Sequence, residues 1–182
     1  AAIIDGDLVI IHGITAYWGK DSPARDRFFA FDKMTGDLVW SSTPGTAPQD
    51  SSFSTPWLAA YGNERVLYAG TGCGNVVAIN VRTGEPLWVF GDSLKVWHST
   101  SRGISYWRGG EDRRIFYTMG SDLWALDAGT GKPIPTFGDH GKIDLRSGLP
   151  ESAREKFVIS NTPGTIFKDL IIMPLRVSES TG

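Results

Sequence analysis

The residues with the chemistry to bind a metal or a phosphate are widely spaced in this 182-residue chain. Its three histidines, His12, His98 and His140, lie too far apart in the sequence to indicate a zinc site. Residues 70–74 (Gly-Thr-Gly-Cys-Gly) resemble a glycine-rich phosphate loop, yet strand-like sequence follows them where a phosphate loop needs a helix. A hairpin turn is therefore the better interpretation of this segment.

Acidic and nucleophilic side chains also fail to form a recognisable catalytic set. Asp139, Asp144 and Glu151 lack the spacing of an EF-hand loop. Residues 103–107 lack the second glycine of a serine nucleophile elbow. The single cysteine, Cys73, excludes a disulfide within these residues. No familiar hydrolase or metal centre is predicted from spacing alone.

Composition narrows the classes of partner. The formal net charge is −2, which gives no basic surface for nucleic acid. No apolar run approaches the roughly 20 residues of a membrane-spanning helix, and no signal peptide is recognised. The chain has 41% hydrophobic residues, enough for a sizeable core, and 22 glycines and 10 prolines, which are typical of many short strands and turns.

A repeat organises the sequence. Related segments occur at residues 28–40, 76–88 and 123–134, and their Asp32, Asn80 and Asp127 are spaced by 48 and 47 residues. A period in this range is typical of a propeller or a solenoid. Each segment starts with apolar residues around a small alanine, as in a strand buried on both faces.

The second half of each repeat predicts a tight turn. Its Asp or Asn can accept hydrogen bonds from backbone amides just ahead, and the glycine of Thr-Gly supplies a positive φ. A short strand then ends in Trp40 or Trp88, which we expect to pack against the next unit and donate to a backbone acceptor there. Pro135 stands at that place in the third copy, so its closing strand should be shorter.

The strand signals predict an all-β protein, a β-propeller of four-stranded antiparallel blades. We assign repeat units to residues 1–50, 51–98, 99–158 and 159–182, which gives about three blades and part of a fourth in one partial propeller. Residues 150–156 form the one helix-like segment. Because propellers close with about 4–8 blades, the chain is expected to be part of a larger ring, completed by remaining blades or a second copy.

The repeat resembles the tryptophan-docking motif of quinoprotein dehydrogenases, eight-bladed propellers that bind pyrroloquinoline quinone (PQQ). The resemblance is strongest between residues 99 and 179, and the first 90 residues match the general repeat better. The segments that resemble the sugar and alcohol dehydrogenase branch, in order, are residues 101–107, 126–133, 137–138, 143–145, 161–164, 168–172 and 176–179.

The resemblance implies roles for four residues. Arg102 matches an arginine that bonds the quinone oxygens, where a permanent planar cation stabilises developing negative charge. Asn161 and Thr162 match polar residues that contact the cofactor carboxylates. Glu179 matches a ligand of the calcium ion that polarises the quinone. Read without the resemblance, Arg102 is a surface or inter-blade ion-pair partner.

Departures from the family pattern leave two functions open. Phe53 replaces an expected polar residue, Met173 stands where small residues are usual, no cysteine pair occurs near Val96, and the catalytic aspartate belongs to later blades. The first hypothesis is a periplasmic dehydrogenase for an alcohol or sugar, inactive as this fragment, which passes electrons to a cytochrome c or a quinone. The alternative is a non-catalytic propeller scaffold for protein contacts.

Overall fold

The structure is a computed structural model and describes residues 2–15, 25–45, 52–72, 74–91 and 102–177. In these ranges it contains sixteen short strands and one short helix. The first unit comprises β1 (Ala2–Asp5), β2 (Leu8–Thr15), β3 (Arg25–Asp32) and β4 (Leu38–Ser42). The second comprises β5 (Trp57–Tyr61), β6 (Glu64–Gly70), β7 (Val76–Asn80) and β8 (Pro86–Phe90). The third comprises β9 (Ser105–Gly109), β10 (Asp112–Met119), β11 (Asp122–Asp127) and β12 (Lys142–Asp144). Beyond these lie α1 (Glu151–Arg154), β13 (Val158–Ile159), β14 (Thr165–Phe167), β15 (Leu170–Ile172) and β16 (Arg176–Val177).

Each of the first three units is a four-stranded antiparallel sheet whose strands pair in chain order. The third sheet runs in the order β12-β11-β10-β9. The fourth unit begins as the hairpin β14–β15, and β13 pairs separately with β16. The predicted helix at residues 150–156 is confirmed but is confined to α1. Within the described ranges, no helix combines the length and apolarity needed to cross a membrane.

The turn predicted within each repeat is present in all three sheets. The glycines Gly36, Gly84 and Gly131 have φ values of 78°, 77° and 68°. In the first turn, Oδ1 of Asp32 accepts the backbone N–H groups of Met34 (2.8 Å) and Thr35 (2.9 Å). These bonds favour the ionised carboxylate and lower the pKa of Asp32. Asn80 and Asp127 accept backbone amides at the equivalent turns.

The third sheet closes differently, as its missing tryptophan predicts. The N–H of Ile134 donates to the carbonyl of Ala125 at 2.9 Å, but the chain then leaves the sheet. It returns at Gly141, whose carbonyl accepts the N–H of Ala125 at 3.0 Å, and continues as the three-residue strand β12. A loop with Ile134 and Phe137 thus packs where the other units place a tryptophan.

The second sheet is buried on both faces because it lies between the first and third sheets. Alternate residues of β6 and β7 point to opposite faces. Leu67, Ala69, Val77 and Ile79 pack against the first sheet. Val66, Tyr68, Val76 and Ala78 pack against the third sheet. A third apolar cluster around Phe116 joins the third sheet to the hairpin β14–β15.

Trp40 and Trp88 make the contacts predicted for them. The indole N–H of Trp40, which is 8% exposed, donates to the carbonyl of Val81 in the second sheet at 2.9 Å. The half-buried Trp88 donates to Ala128 in the third sheet at 3.0 Å. Each indole ring covers a turn glycine so closely that a Cβ atom there would lie 2.6 Å from Trp40 or 2.5 Å from Trp88.

Candidate functional site

The segments that precede the first strands of three successive units lie side by side. The N–H of Arg102 donates to the carbonyl of Asn161 at 2.9 Å. The N–H of Thr55 donates to the carbonyl of Arg102 at 3.4 Å, and Thr55 forms a parallel bridge with Gly103. We call Thr55, Arg102 and Asn161 the lead-in row. These backbone bonds bring together residues that are 106 positions apart in the sequence.

Polar side chains of the third sheet fix the last member of the row. The hydroxyl of Thr118 donates to the carbonyl of Ser160 at 2.7 Å, and that of Ser121 donates to Val158 at 2.7 Å. On the other side of Asn161, the hydroxyl of Ser105 donates to the carbonyl of Gly164 at 2.6 Å. The position of the fourth lead-in segment therefore depends on hydroxyl groups and not only on apolar packing.

Of the residues that the resemblance singled out, the structure brings Arg102, Asn161 and Thr162 together. Arg102 and Thr162 are exposed, whereas Asn161 is partly buried. The Oδ1 atom of Asn161 is buried and, among the described residues, accepts no hydrogen bond. Because an unsatisfied buried acceptor costs about 1–3 kcal/mol, this carboxamide is suited to receive a donor from a bound group.

The calcium part of the hypothesis falls outside the described residues, because Glu179 lies beyond residue 177. Within the described ranges, no three His, Cys, Asp or Glu side chains converge in a way that could hold a metal ion. Asp144 pairs instead with Arg146 at 2.9 Å, and this bond lowers the pKa of Asp144.

The described histidines lie in settings unlike a catalytic site. The ring of His12 stacks on Phe28 with 4.1 Å between the ring centroids. His140 is almost fully exposed, and its Nε2 lies 3.5 Å from Asp139. His98 lies outside the described residues. None of the described histidines belongs to the lead-in row.

The structure shows the surroundings of two residues that depart from the family pattern, Phe53 and Met173. Phe53 is 63% exposed and comes two residues before Thr55. Met173 packs in the apolar cluster around Phe116, and a Cβ atom on Gly164 would lie 2.4 Å from its sulfur. Met173 therefore fills space between the third sheet and the hairpin β14–β15.

One contact was not predicted from the sequence. The indole of Trp107, on β9, donates to the carbonyl of Lys168 at 2.9 Å, and Lys168 has a φ of 54° in the turn between β14 and β15. Nothing in the repeat pattern marks Trp107, because it lies on a first strand and not a fourth. A cavity of about 320 Å³ beside it is lined by Arg114, Phe137 and Ile166 among others. No lead-in row residue lines this cavity.

Comparison with known proteins decides the family. Residues 48–181 match the family described as the PQQ "Glucose/ethanol/alcohol dehydrogenase, beta-propeller domain". The chain belongs to this family. Residues 2–90 also match the family described as "Outer membrane protein assembly factor BamB". Residues 48–90 lie within both matches.

Individual proteins agree with this result. The glycerol dehydrogenase large subunit of Gluconobacter thailandicus is 25% identical over 149 residues, which are 75% of this chain and 19% of that subunit. The chain therefore spans about a fifth of that relative's length.

Solved propellers share the fold at low identity. The quinohemoprotein alcohol dehydrogenase of Comamonas testosteroni has a TM-score of 0.50 and 17% identity, over 73% of this chain and 27% of that one. BamB of Moraxella catarrhalis has a TM-score of 0.50 and 16% identity, over 85% of this chain and 43% of that one. The predicted all-β propeller fold is confirmed.

Proposed function

We propose that these residues are part of a PQQ-dependent dehydrogenase that oxidises an alcohol or a sugar, and that the lead-in row borders the cofactor. The observation that carries the proposal is the 2.9 Å hydrogen bond from the N–H of Arg102 to the carbonyl of Asn161. It joins two residues for which the family resemblance implies cofactor contact. A third, Thr162, follows Asn161 directly.

The side chains of Arg102, Asn161 and Thr162 fit a flat, anionic cofactor. The exposed guanidinium of Arg102 offers a fork of donors for quinone oxygens. The hydroxyl of Thr162 and the amide N–H groups of Asn161 can donate to carboxylates, and the buried Oδ1 of Asn161, which has no partner among the described residues, can accept a further donor. When bound, PQQ supplies the two-electron acceptor for the substrate. The chain's own residues bind and orient it and hold a positive charge beside its oxygens.

Calcium binding by Glu179 remains part of the proposal on the resemblance alone. We infer that turnover needs a proton-abstracting carboxylate from outside these residues, so the chain by itself binds without catalysing. The proposal includes a cytochrome c or a quinone as electron acceptor, a periplasmic location, and Trp40 and Trp88 as tryptophan-docking residues of the propeller. These points rest on the family resemblance.

The test is reconstitution of the chain with PQQ, with and without calcium. We expect binding by equilibrium dialysis and a change in the quinone absorbance spectrum. Arg102→Ala should weaken binding by about tenfold or more, in proportion to the loss of a charge-assisted hydrogen bond. Arg108→Ala is the matched control, because Arg108 is also exposed but bonds the nearby carbonyl of Gly110 and lies outside the lead-in row. Equal affinity of the Arg102→Ala variant and the unmodified chain would contradict the proposed site.

A second candidate, a non-catalytic scaffold, is favoured by the match of residues 2–90 to the BamB family and by the exposed Phe53. A scaffold needs no cofactor, so it predicts no saturable PQQ binding at any calcium concentration. It also predicts that Phe53→Ser weakens binding to a protein partner while leaving the melting temperature unchanged. Saturable PQQ binding that depends on Arg102 would exclude the scaffold as the sole function.

A further inference from the structure

The cavity beside Trp107 lies between the third sheet and the hairpin β14–β15. Two hydrogen bonds from β9 hold the hairpin there. The hydroxyl of Ser105 donates to the carbonyl of Gly164 at 2.6 Å, and the indole of Trp107 donates to the carbonyl of Lys168 at 2.9 Å. The cavity has a volume of about 320 Å³, which is at the lower end of the range for small-molecule sites. It therefore has room for a ligand with a single ring.

The repeat is altered at the place where this cavity lies. In the second sheet Ala59 pairs with Val66, and in the third sheet Trp107 pairs with Arg114. The two pairs are equivalent, because Val66 and Arg114 each lie opposite the Asp or Asn of their own repeat. The small pair is buried against the third sheet, with Val66 only 2% exposed. The large pair stays partly exposed and lines the cavity.

Most of the cavity wall is apolar. Three aromatic rings line it, those of Trp107, Phe116 and Phe137, and the last two pack with their centroids 5.5 Å apart. On the hairpin, Ile166 and Ile171 lie directly opposite each other and both line the cavity. Rings and branched side chains of this kind favour a ligand with an apolar, flat body.

Two charged side chains also line the cavity, Arg114 and Asp169. The guanidinium of Arg114 lies over the Trp107 ring, with its Cζ 5.4 Å from the ring centroid, and its Nε donates to Asp112 at 2.9 Å. A carboxylate in direct contact thus balances the charge of Arg114. The exposed carboxylate of Asp169, in contrast, makes no hydrogen bond or ion pair with another described residue. The cavity therefore presents one carboxylate that is available to a cation.

We propose that this cavity binds a small aromatic amine, a ligand with one aromatic ring and a protonated amino group. The ring packs on the aromatic wall, and the ammonium group pairs with Asp169. The position of Arg114 over Trp107 shows that an aromatic face here accepts a positive charge. An anionic ligand fits less well, because Asp112 already bonds Arg114 and repels a second carboxylate. The inference is independent of the proposed cofactor, since no lead-in row residue lines the cavity.

The test is isothermal titration calorimetry of the 182-residue chain, without PQQ, against three probes that share a phenyl ring on a short chain. Phenethylamine carries a cation, phenethyl alcohol is neutral and phenylpropionate carries an anion. We expect saturable binding of phenethylamine with a Kd of about 1 mM. Phenethyl alcohol should bind about threefold more weakly, since it lacks the ion pair, and phenylpropionate should bind most weakly. Equal affinities for the three probes would overturn the proposal.

Asp169→Asn removes the charge and leaves the apolar wall intact. It should lower the affinity for phenethylamine to that for phenethyl alcohol, and the affinity for the alcohol should not change. Asp7→Asn is the matched control, because Asp7 is also exposed but pairs with Lys33 in the first sheet and does not line this cavity. This control should bind all three probes like the unmodified chain.

Ile166→Phe places a larger side chain in the cavity and should abolish binding of all three probes, with the circular dichroism spectrum unchanged. Phenethylamine binding that survives Ile166→Phe, or that keeps its full strength in Asp169→Asn, would overturn the proposal. If Ile166→Phe does not fold, Asp169→Asn decides alone, since its side chain is exposed. A chain that binds phenethylamine but not PQQ would contradict only the proposed function.

Discussion

The indole N–H of Trp40 donates to the carbonyl of Val81 at 2.9 Å, and the ring lies on Gly84 three residues further along. One side chain of the first sheet thus makes a polar bond and an apolar contact with the turn of the second. The glycine is required twice, since its φ is positive and a Cβ atom would collide with the ring. The same relationship joins Trp88 to Ala128 and Gly131.

Removing the Trp40 side chain should weaken the whole fold. We expect Trp40→Ala to cost about 3–5 kcal/mol of unfolding free energy because it leaves a cavity between two sheets. Trp40→Phe leaves the Val81 carbonyl without its donor. It should still cost less unfolding free energy than Trp40→Ala, because it retains an aromatic ring between the two sheets. Urea denaturation measures both. Trp57→Ala is the control, as Trp57 is 48% exposed and stacks only on Tyr106 among the ring contacts described.

Asp32 should make the free energy of unfolding depend on pH in the acidic range. Its pKa lies below the ordinary value of 3.8 because backbone amides of Thr35 and Met34 bond the carboxylate. The stabilisation is therefore present above pH 3.8 and is lost as the pH falls through the lowered pKa. Asp32→Asn, which copies the native Asn80, keeps an amide oxygen for these bonds and does not titrate.

Unfolding curves of wild type and Asp32→Asn between pH 2 and 7 test this expectation. The wild type should lose stability relative to the variant as the solution is acidified below the ordinary carboxyl range. A constant difference between the two proteins over the whole range would show that Asp32 has the same pKa in the folded and unfolded states.

Tyr68 is expected to tolerate loss of its hydroxyl. The side chain is fully buried, and its Oη finds no hydrogen-bond partner among the described residues. Tyr68→Phe should therefore leave the unfolding free energy unchanged or raise it by about 1 kcal/mol. Tyr68→Leu is the contrast, because it removes the ring that contacts Trp88 and Tyr106 and should be destabilising.

The same tyrosine should affect stability in alkali. Burial raises the pKa of Tyr68 above its ordinary value of 10.0. The neutral form is thus favoured in the folded state, and this contribution is lost as the pH rises from about 10 toward the raised pKa. Tyr68→Phe should lose less stability than wild type on going from pH 9 to pH 11, as measured by urea denaturation.

The hydroxyls of Thr118 and Ser121 should govern the mobility of the segment that carries Asn161. Each bond to the carbonyls of Ser160 and Val158 contributes about 1 kcal/mol. We expect Thr118→Val with Ser121→Ala to speed amide hydrogen exchange at residues 158–161 by about tenfold. The first sheet should be unaffected and serves as the internal control. Unchanged exchange at residues 158–161 would show that apolar packing alone holds the segment.

Local chemistry made the repeat predictable from the sequence. The bonds of Asp32 and the positive φ of Gly36 depend on residues a few positions apart, so they can be read from the order of side chains. That Trp40 and Trp88 would each donate to a backbone acceptor in the next unit followed from the repeat, whereas the structure identified the acceptors as Val81 and Ala128. The shortened end of the third sheet followed from Pro135.

Tertiary structure decided which distant residues meet. The N–H of Arg102 bonds the carbonyl of Asn161 because the fourth unit packs against the third sheet, and no local pattern encodes that contact. The contact of Trp107 also depends on stacking, since its acceptor, Lys168, lies 61 residues away. Sequence determines the units through short-range sterics and hydrogen bonds, whereas the lead-in row forms only after the sheets have packed.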